Sequence, residues 1–183
     1  MSLPTVEHET GTNPTRSIIW LHGLGADGND FAPIVPELVD PAWPAVRFVF
    51  PHAPVQRVTI NNGMPMRAWY DITGVDLLAR QDEAGVRQSI DAVTALIARE
   101  NERGVPDERI VLVGFSQGGA IALAAGLRHA QTLAGIVALS TYVPIHPTLA
   151  AERSSANAAT PIFWGHGSAD TVVPLRRGME SRD

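Results

Sequence analysis

One pentapeptide of the sequence places a potential nucleophile at a sharp turn. Gly114-Phe115-Ser116-Gln117-Gly118 matches the pattern G-x-S-x-G, in which a serine lies on a strained turn between a strand and a helix. An apolar run precedes the motif and small residues follow it, as such a turn requires. The turn would raise the Ser116 hydroxyl above a sheet and direct the Gln117 N–H, at the positive end of the next helix, toward the same point. The alternative is a glycine-rich turn that contains a serine by chance.

A glycine-rich loop after the first apolar run predicts a second donor for this site. In His22-Gly23-Leu24-Gly25 the backbone N–H of Leu24 could stabilise an oxyanion together with the Gln117 N–H. Residues 23–28 also fit the dinucleotide-binding pattern G-x-G-x-x-G, which needs an acid at the end of the second strand. The second apolar run ends at Phe50-Pro51-His52, without an acid, so a nucleotide site is disfavoured. A glycine-rich turn that binds nothing remains an alternative.

An acidic residue follows the last apolar run. Asp170 ends the stretch Gly165-His166-Gly167-Ser168-Ala169-Asp170, and it comes after Ser116 in the chain, as the acid of a serine–acid–histidine triad does in one group of hydrolases. Its role would be to hold an imidazole in the correct tautomer and to stabilise it once it is protonated. Alternatively, Asp170 is a turn residue that binds its own backbone.

The remaining pattern indicates the elements that position these residues. Short runs that are apolar on both faces predict parallel strands covered by helices, at 17–21, 46–50, 109–113, 135–139 and 161–164. Helical patterns lie between them, at 30–39, 82–103 and 117–129. The alternation predicts an α/β fold with a mostly parallel central sheet and helices on both faces. Functional residues should then lie at the carboxyl ends of the strands.

The segment 57–77 departs from this alternation. Asn61-Asn62-Gly63 is a turn signal between two extended stretches, so we expect an inserted hairpin near the active site, with a plain loop as the alternative. Four apolar residues that flank or occupy this segment suit an apolar groove for acyl chains: Met64, Met66, Trp69 and Leu77. Ordinary core packing explains them equally well. Ser140-Thr141-Tyr142, after another strand, could line the same site or form a capped loop.

Composition excludes several kinds of chemistry. The chain has 183 residues, which suits one domain. Cysteine is absent, which excludes thiolate nucleophiles and cysteine-ligated metals; lysine is also absent, which excludes Schiff-base chemistry. A net charge of −5 argues against nucleic acid as a partner. No apolar stretch is long enough to span a membrane and no signal peptide is recognisable, so the expected location is cytoplasmic.

Taken together, these motifs resemble one family. His22-Gly23-Leu24-Gly25, Trp69-Tyr70-Asp71, the Ser116 pentapeptide, Leu139-Ser140, and the segment from His166 to Pro174 are similar to the carboxylesterase/acyl-protein thioesterase family of α/β hydrolases, especially its bacterial carboxylesterases. The resemblance implies the α/β-hydrolase fold, Ser116 as nucleophile, Asp170 as triad acid and the N–H groups of Leu24 and Gln117 as the oxyanion hole. It implies acyl esters or thioesters of short to medium chain as substrates, with no cofactor and no metal. It also allows a homodimer. The substrate-lining residues we expect are His22, Met66 and Trp69.

The general base is missing from this pattern. Family members usually continue with a further strand, a Gly-His pair that carries the triad base, and a closing helix, whereas 183 − 170 = 13 residues follow Asp170 here and none is histidine. We therefore expect a single domain over 1–183 that is truncated at its C-terminus, lacks the last strand and C-terminal helix, and leaves 161–164 as an exposed apolar edge.

The six histidines do not replace that base. His8 lies in an N-terminus that we expect to be mobile. His52 follows the second predicted strand, His129 ends a predicted helix, and His146 lies in a loop. His22 and His166 lie nearer the expected site, but a structural, hydrogen-bonded role is the better interpretation of both. Two functions follow: a serine esterase or thioesterase whose base is absent from this chain, or a non-catalytic relative that binds an apolar acyl ligand or a partner chain.

Overall fold

The fold is organised around a sheet of six strands. The computed structural model describes residues 3–74 and 81–183. The strands, in chain order, are β1 Thr5–Glu9, β2 Arg16–Leu21, β3 Val46–Pro51, β4 Val55–Val58, β5 Met64–Arg67, β6 Ile110–Phe115, β7 Gly135–Leu139 and β8 Ile162–Gly165. The α-helices are α1 Val35–Leu38, α2 Glu83–Glu102, α3 Gln117–Arg128, α4 His146–Glu152 and α5 Leu175–Arg182.

The sheet is parallel except at one edge. Its order is β1-β3-β2-β6-β7-β8, and β1 runs antiparallel to β3 while the other neighbours are parallel. All five predicted strands are present, and the expectation of a mostly parallel α/β sheet is confirmed. The order places the carboxyl ends of β6, β7 and β8 side by side. The sequence predicts the functional residues at these carboxyl ends.

Strand β1 corrects the expectation of a mobile N-terminus around His8. His8 pairs with Phe48 of β3, and Val6 packs against the apolar cluster on that side of the sheet. Glu9 forms an ion pair with Arg47, with a distance of 2.8 Å between Oε1 and Nε. The strand is short, mostly polar and half exposed, so no apolar run in the sequence marks it.

Helices cover both faces of the sheet, as predicted. α2 and α3 lie on one face; α2 begins at the N-cap Asp82, whose side chain accepts a hydrogen bond from the Gly85 N–H, and α3 is buried along nearly its whole length. On the other face, the helix expected at 30–39 is reduced to a 3-10 turn, Ala32–Ile34, and the four-residue α1. Pro33 and Pro36 explain the reduction, because each removes a backbone donor. Among the described residues, no helix combines the length and apolar character needed to cross a bilayer.

The inserted segment contains a small antiparallel sheet of its own. β4 pairs with β5, and Val58 lies opposite Met64. Asn62 and Gly63 turn the chain with φ angles of 56° and 69°, in a left-handed region that asparagine and glycine tolerate. Asp71 anchors the turn by accepting hydrogen bonds from the N–H and the hydroxyl of Thr59, at 2.7 and 2.6 Å. Leu77 lies outside the described residues.

The opposite edge of the sheet is apolar and open. β8 is the last strand in the order, and the exposed fractions of Ile162 and Phe163 are 41% and 64%. The sequence predicts this exposed edge. It does not predict α5, which follows the Asp170 loop and buries Gly178 against the ring of His166.

A buried carboxylate ties α2 to the amino ends of the strands on that side. Glu100 is fully buried and accepts hydrogen bonds from the Ser17 hydroxyl at 2.6 Å and from Arg47 Nη1 at 2.9 Å. Arg103 Nη1 lies 3.0 Å from its other oxygen. Burial raises the pKa of Glu100, but the hydrogen bonds from Ser17 and Arg47 outweigh burial, so the pKa lies below its usual value of 4.5.

Replacing this carboxylate should destabilise the fold. Glu100→Gln leaves the buried charge of Arg47 with one carboxylate partner fewer, and we expect a loss of about 2–4 kcal/mol in the free energy of unfolding at pH 7. Because the folded-state pKa of Glu100 is lowered, its contribution is present above about pH 4.5 and is lost as the pH falls through the folded-state value. Urea denaturation at several pH values measures both effects. Glu102→Gln, at an exposed position of the same helix, is the control, and an equal loss in both variants would contradict the prediction.

Candidate active site

Ser116 occupies a strained turn between β6 and α3. Its φ and ψ angles are 53° and −119°, which a residue with a side chain rarely adopts. A Cβ on Gly114 would lie 2.3 Å from the Gly118 carbonyl oxygen, and one on Gly118 would lie 2.3 Å from the Leu21 carbonyl oxygen. The chain therefore makes this turn because both glycines of the pentapeptide leave room for it.

The backbone of Ser116 is held at both ends. Its N–H donates to the Leu139 carbonyl at 2.9 Å, and its carbonyl accepts from Thr141 Oγ1 at 2.7 Å. The side chain is half buried, and its hydroxyl forms no hydrogen bond to any residue that the structure describes. Thr141 therefore supports this turn. Its position after β7 is its only signal in the sequence, and that position fits a site-lining residue or a capped loop equally well.

The loop after β2 contacts Ser116. A Cβ on Gly23 would lie 3.6 Å from the Ser116 Cβ, so this loop passes directly beside the serine. The N–H of Leu24 has no acceptor among the described residues. Gln117 is the first residue of α3, a position whose N–H has no acceptor inside the helix. The structure thus places both amides predicted for an oxyanion hole on segments that meet at Ser116.

The side chains of Gln117 and Trp69 fasten these segments together. Gln117 accepts from the Trp69 N–H at 2.8 Å and donates to the Tyr70 carbonyl at 2.7 Å. The indole N–H of Trp69 donates to the His22 carbonyl at 2.8 Å. Ser89, on α2, donates its hydroxyl hydrogen to the Trp69 carbonyl. Every one of these groups is buried, so the bonds form away from competing water.

Two of the three residues predicted to line the substrate site are buried instead. His22 and Trp69 are each 1% exposed, so neither side chain presents a surface to a ligand in this structure; they support the loops. Met66 is half buried, and its sulfur lies 3.2 Å from Asn61 Nδ2 and 3.8 Å from the position of a Cβ on Gly25. Met66 therefore lies at the glycine-rich loop, next to the site.

Asp170 lies in the loop after β8 and is fixed through one oxygen. Its Oδ1 accepts hydrogen bonds from the N–H groups of Val172 and Val173, both at 2.9 Å, while Oδ2 lies 3.7 Å from His166 Nε2. Burial raises the pKa of Asp170, but the backbone hydrogen bonds from Val173 and Val172 outweigh burial and lower the pKa, which keeps the carboxylate charged. The hydrogen bonds to its own backbone, which the sequence offers as an alternative role, involve Oδ1, whereas Oδ2 lies near His166, and a side-chain hydrogen bond from Ser140 also lowers the pKa.

The strand order explains why Asp170 and Ser116 both lie at the carboxyl ends of the parallel strands. The N–H of Ser116 bonds to Leu139 at the end of β7, and the N–H of Ser140 bonds to Gly165 at the end of β8, at 2.8 Å. The loops that contain Ser116 and Asp170 thus follow β6 and β8, which lie on either side of β7, and both loops begin at the carboxyl ends of these strands. Ser140, with a φ angle of 48°, forms the step between them.

None of the six histidines forms a hydrogen bond with Ser116 in the described part of the chain. His166 Nε2 donates to the Val173 carbonyl at 2.7 Å, and its Nδ1 is buried without a partner. His52 accepts from the Gly28 N–H, and His129 contacts Asp107 at the opposite end of the sheet. Over the described residues, no three histidine, aspartate or glutamate side chains are arranged to hold a metal ion.

Known proteins resemble this chain over most of its length. A family model described as Phospholipase/Carboxylesterase matches residues 4–183. Acyl-protein thioesterase 1 of Cryptococcus neoformans var. neoformans is 41% identical over 172 residues, which cover 92% of this chain and 72% of that protein. Acyl-protein thioesterase 1 of Yarrowia lipolytica is 40% identical over 186 residues, which cover 98% of this chain and 80% of that protein.

Solved structures agree with the sequence comparisons. The crystal structure of Arabidopsis thaliana SOBER1 superposes with a TM-score of 0.85 at 34% identity and covers 90% of this chain and 80% of that one. Esterase PE8 superposes with a TM-score of 0.77 at 30% identity, covering 98% and 80%. The match of the family model over nearly the whole chain confirms the resemblance found in the motifs. The chain has the α/β-hydrolase fold and belongs to the phospholipase/carboxylesterase family.

Proposed function

We propose that this protein is a serine hydrolase that cleaves short- to medium-chain carboxylic esters or thioesters by transferring the acyl group through Ser116 to water. The observation that carries the proposal is the strained turn of Ser116 beside the loop that contains Leu24. Over residues 3–74 and 81–183, neither the Ser116 hydroxyl nor the Leu24 N–H has a hydrogen-bond partner. The family supports a hydrolase of this type, and relatives named acyl-protein thioesterase 1 favour thioesters among the substrates.

The proposed reaction uses groups at the carboxyl ends of the parallel strands. Ser116 Oγ attacks the carbonyl carbon of the substrate, its proton passes to a base, and the carbonyl electron pair moves onto oxygen. The N–H groups of Leu24 and Gln117 donate to this oxyanion, and one such donor contributes about 10²- to 10³-fold in rate. Collapse of the intermediate expels the alcohol or thiol, which takes the proton, and water then releases the acid from Ser116 by the same route.

The base is proposed to lie outside the six histidines of this sequence. His22 and His166 each use a ring nitrogen to hold a loop, and neither bonds to Ser116. Asp170 Oδ2 is proposed instead to orient an imidazole that is not one of these six. Asp170 would then fix the tautomer of that imidazole and stabilise its protonated form.

The inserted segment is proposed to contact the acyl chain. Met66 lies beside the glycine-rich loop, and Met64, across the pair from Val58, is 61% exposed. Flexible thioether side chains adapt to acyl groups of different length. His22 and Trp69 shape this region from beneath, through the loop that carries Leu24.

A non-catalytic role is the second proposal, and it is favoured because, where the structure describes the chain, no histidine is bonded to Ser116. In that case the chain binds an apolar acyl ligand or pairs with a partner through β8, where Phe163 is exposed. The two functions differ in one respect. Ser116→Ala would leave ligand affinity and oligomeric state unchanged in a binding protein, while any turnover that depends on Ser116 excludes this second role.

A fluorophosphonate probe should label Ser116 covalently. We expect slow labelling of the 183-residue chain, because loss of one triad member lowers kcat by about 10⁴- to 10⁶-fold, and faster labelling of a version extended through a strand and a Gly-His segment. Intact mass and peptide mapping identify the site, and hydrolysis of a p-nitrophenyl ester reports turnover. Ser116→Ala should abolish labelling, whereas Ser168→Ala, at an exposed position, should not. If the extended version neither labels nor hydrolyses the ester, the hydrolase proposal is wrong.

Removing the charge of Asp170 should lower activity without unfolding its loop. In Asp170→Asn the side-chain oxygen still accepts from Val172 and Val173, but the group facing the proposed imidazole is an amide, which favours the wrong tautomer. We expect kcat of the extended version to fall by about 10⁴-fold. Steady-state kinetics measure the effect, with Asp91→Asn on the exposed side of α2 as the control. A fall of less than about tenfold would show that Asp170 only caps its turn.

A further inference from the structure

One peptide group connects a buried histidine to the proposed oxyanion hole. The carbonyl of Gly23 and the N–H of Leu24 belong to the same peptide unit. His22 Nδ1 lies 2.7 Å from the Gly23 oxygen, which also accepts from the Ala26 N–H at 3.3 Å. The Leu24 N–H on the other side of that unit has no acceptor in the part of the chain that the structure describes. Because a peptide unit is planar, a partner that fixes the carbonyl also fixes the direction of the N–H.

The second ring nitrogen of His22 determines which atom carries the proton. The N–H of Ala53 donates to His22 Nε2 at 3.0 Å, and a backbone amide can only donate. Nε2 must therefore be the bare nitrogen, and the hydrogen of the neutral ring lies on Nδ1, from which it is donated to Gly23. The Trp69 indole N–H holds the His22 carbonyl, and the two rings pack with their centroids 5.4 Å apart.

We propose that His22 is a positioning residue that orients and polarises the Gly23–Leu24 peptide so that the Leu24 N–H points at the oxyanion. This role rests on the proposed function. A hydrogen bond to a carbonyl draws electron density toward its oxygen and makes the N–H of the same unit a stronger donor. A preorganised donor of this kind stabilises charge in the transition state without having to reorient during the reaction.

The surroundings of His22 favour its neutral form. Burial lowers its pKa, the hydrogen bond to Gly23 and the charges of Asp30 and Asp27 raise it, His52 lowers it, and the balance lies below the usual value of 6.5. A protonated ring would place an N–H on Nε2 that faces the N–H of Ala53. Neutral His22 is thus the form that satisfies both backbone groups near pH 7.

Two substitutions separate the roles of the two ring nitrogens. In His22→Asn the side-chain NH₂ reaches roughly the position of Nδ1 and can still donate to Gly23, but nothing accepts from Ala53. In His22→Gln the side-chain oxygen reaches roughly the position of Nε2 and accepts from Ala53, but no side chain donates to Gly23, whose carbonyl keeps only the longer hydrogen bond from the Ala26 N–H, at 3.3 Å. A purely structural role makes glutamine at least as good as asparagine, because it satisfies the buried Ala53 amide. A positioning role gives the reverse order.

The rate of Ser116 labelling by a fluorophosphonate should therefore be at least about tenfold higher in His22→Asn than in His22→Gln, a fraction of the roughly 10²-fold effect of deleting an oxyanion donor. Thermal unfolding of both variants shows that the comparison is made on folded protein. His8→Gln, at an exposed position in β1, should label like the wild type. Equal rates in the two variants, or faster labelling of His22→Gln, would overturn the proposal.

Nitrogen-15 NMR tests His22 independently of the chemistry at Ser116. The spectrum of the wild type should show a neutral His22 ring that is protonated at Nδ1, and the Leu24 amide signal should move further in His22→Gln than in His22→Asn. If the version extended through a Gly-His segment neither labels at Ser116 nor hydrolyses the ester, the hydrolase proposal fails, and these signals still decide whether His22 orients the peptide. A ring protonated at Nε2, or a Leu24 signal unchanged in His22→Gln, contradicts the positioning role.

Discussion

The close approach of the first turn of α3 to the ends of β2 and β6 is the constraint on which the site depends. At Gly118 the backbone comes so near the Leu21 carbonyl that no side chain fits between them, and at Gly114 the same is true of the Gly118 carbonyl. This approach forces Ser116 into its positive φ angle and lifts its hydroxyl out of the hydrogen-bonding pattern of the sheet. It also brings the free end of α3, with its positive partial charge, against the loop after β2.

A strained turn persists only where its surroundings hold it, and here buried polar contacts do so. Gln117 binds the backbone on both sides of the Trp69–Tyr70 peptide, and Thr141 holds the Ser116 carbonyl. Satisfied buried hydrogen bonds of this kind have well-defined directions, whereas apolar packing tolerates small shifts. The donors predicted for an oxyanion must be aimed to within a few tenths of an ångström, so polar contacts suit this location better than apolar ones.

The elements, the turn and a hydrogen-bonded role for His22 could be predicted from the sequence, whereas the partners of the supporting side chains could not. Apolar runs and the glycines of the pentapeptide are local signals, and they predicted β2, β6 and the sharp turn. The burial of His22 and Trp69 depends on contacts between segments that are distant in the chain, so no local pattern indicates it. From the sequence alone, an aromatic residue in a loop is as consistent with a ligand-binding surface as with the core. The short strand β1 could not be predicted, because it is mostly polar and contains no apolar run. Its side chains are held instead by ion pairs with arginines that are distant in the sequence: Glu9 with Arg47 and Glu7 with Arg99.

The electrostatics of Asp170 suit the role proposed for it, which is to orient an imidazole. Two backbone N–H groups hold Oδ1, which fixes the plane of the carboxyl group and therefore the direction of Oδ2. The lowered pKa keeps the group charged, and no arginine forms an ion pair with it among the described residues. Asp170 is thus a half-buried, charged carboxylate with a fixed orientation and no arginine partner. Such a group is suited to stabilise a positive charge that exists only during a reaction, such as a protonated imidazole. The residues proposed as nucleophile, oxyanion donors and acid thus all lie in loops at the carboxyl ends of neighbouring strands, where the proposed base would have to enter.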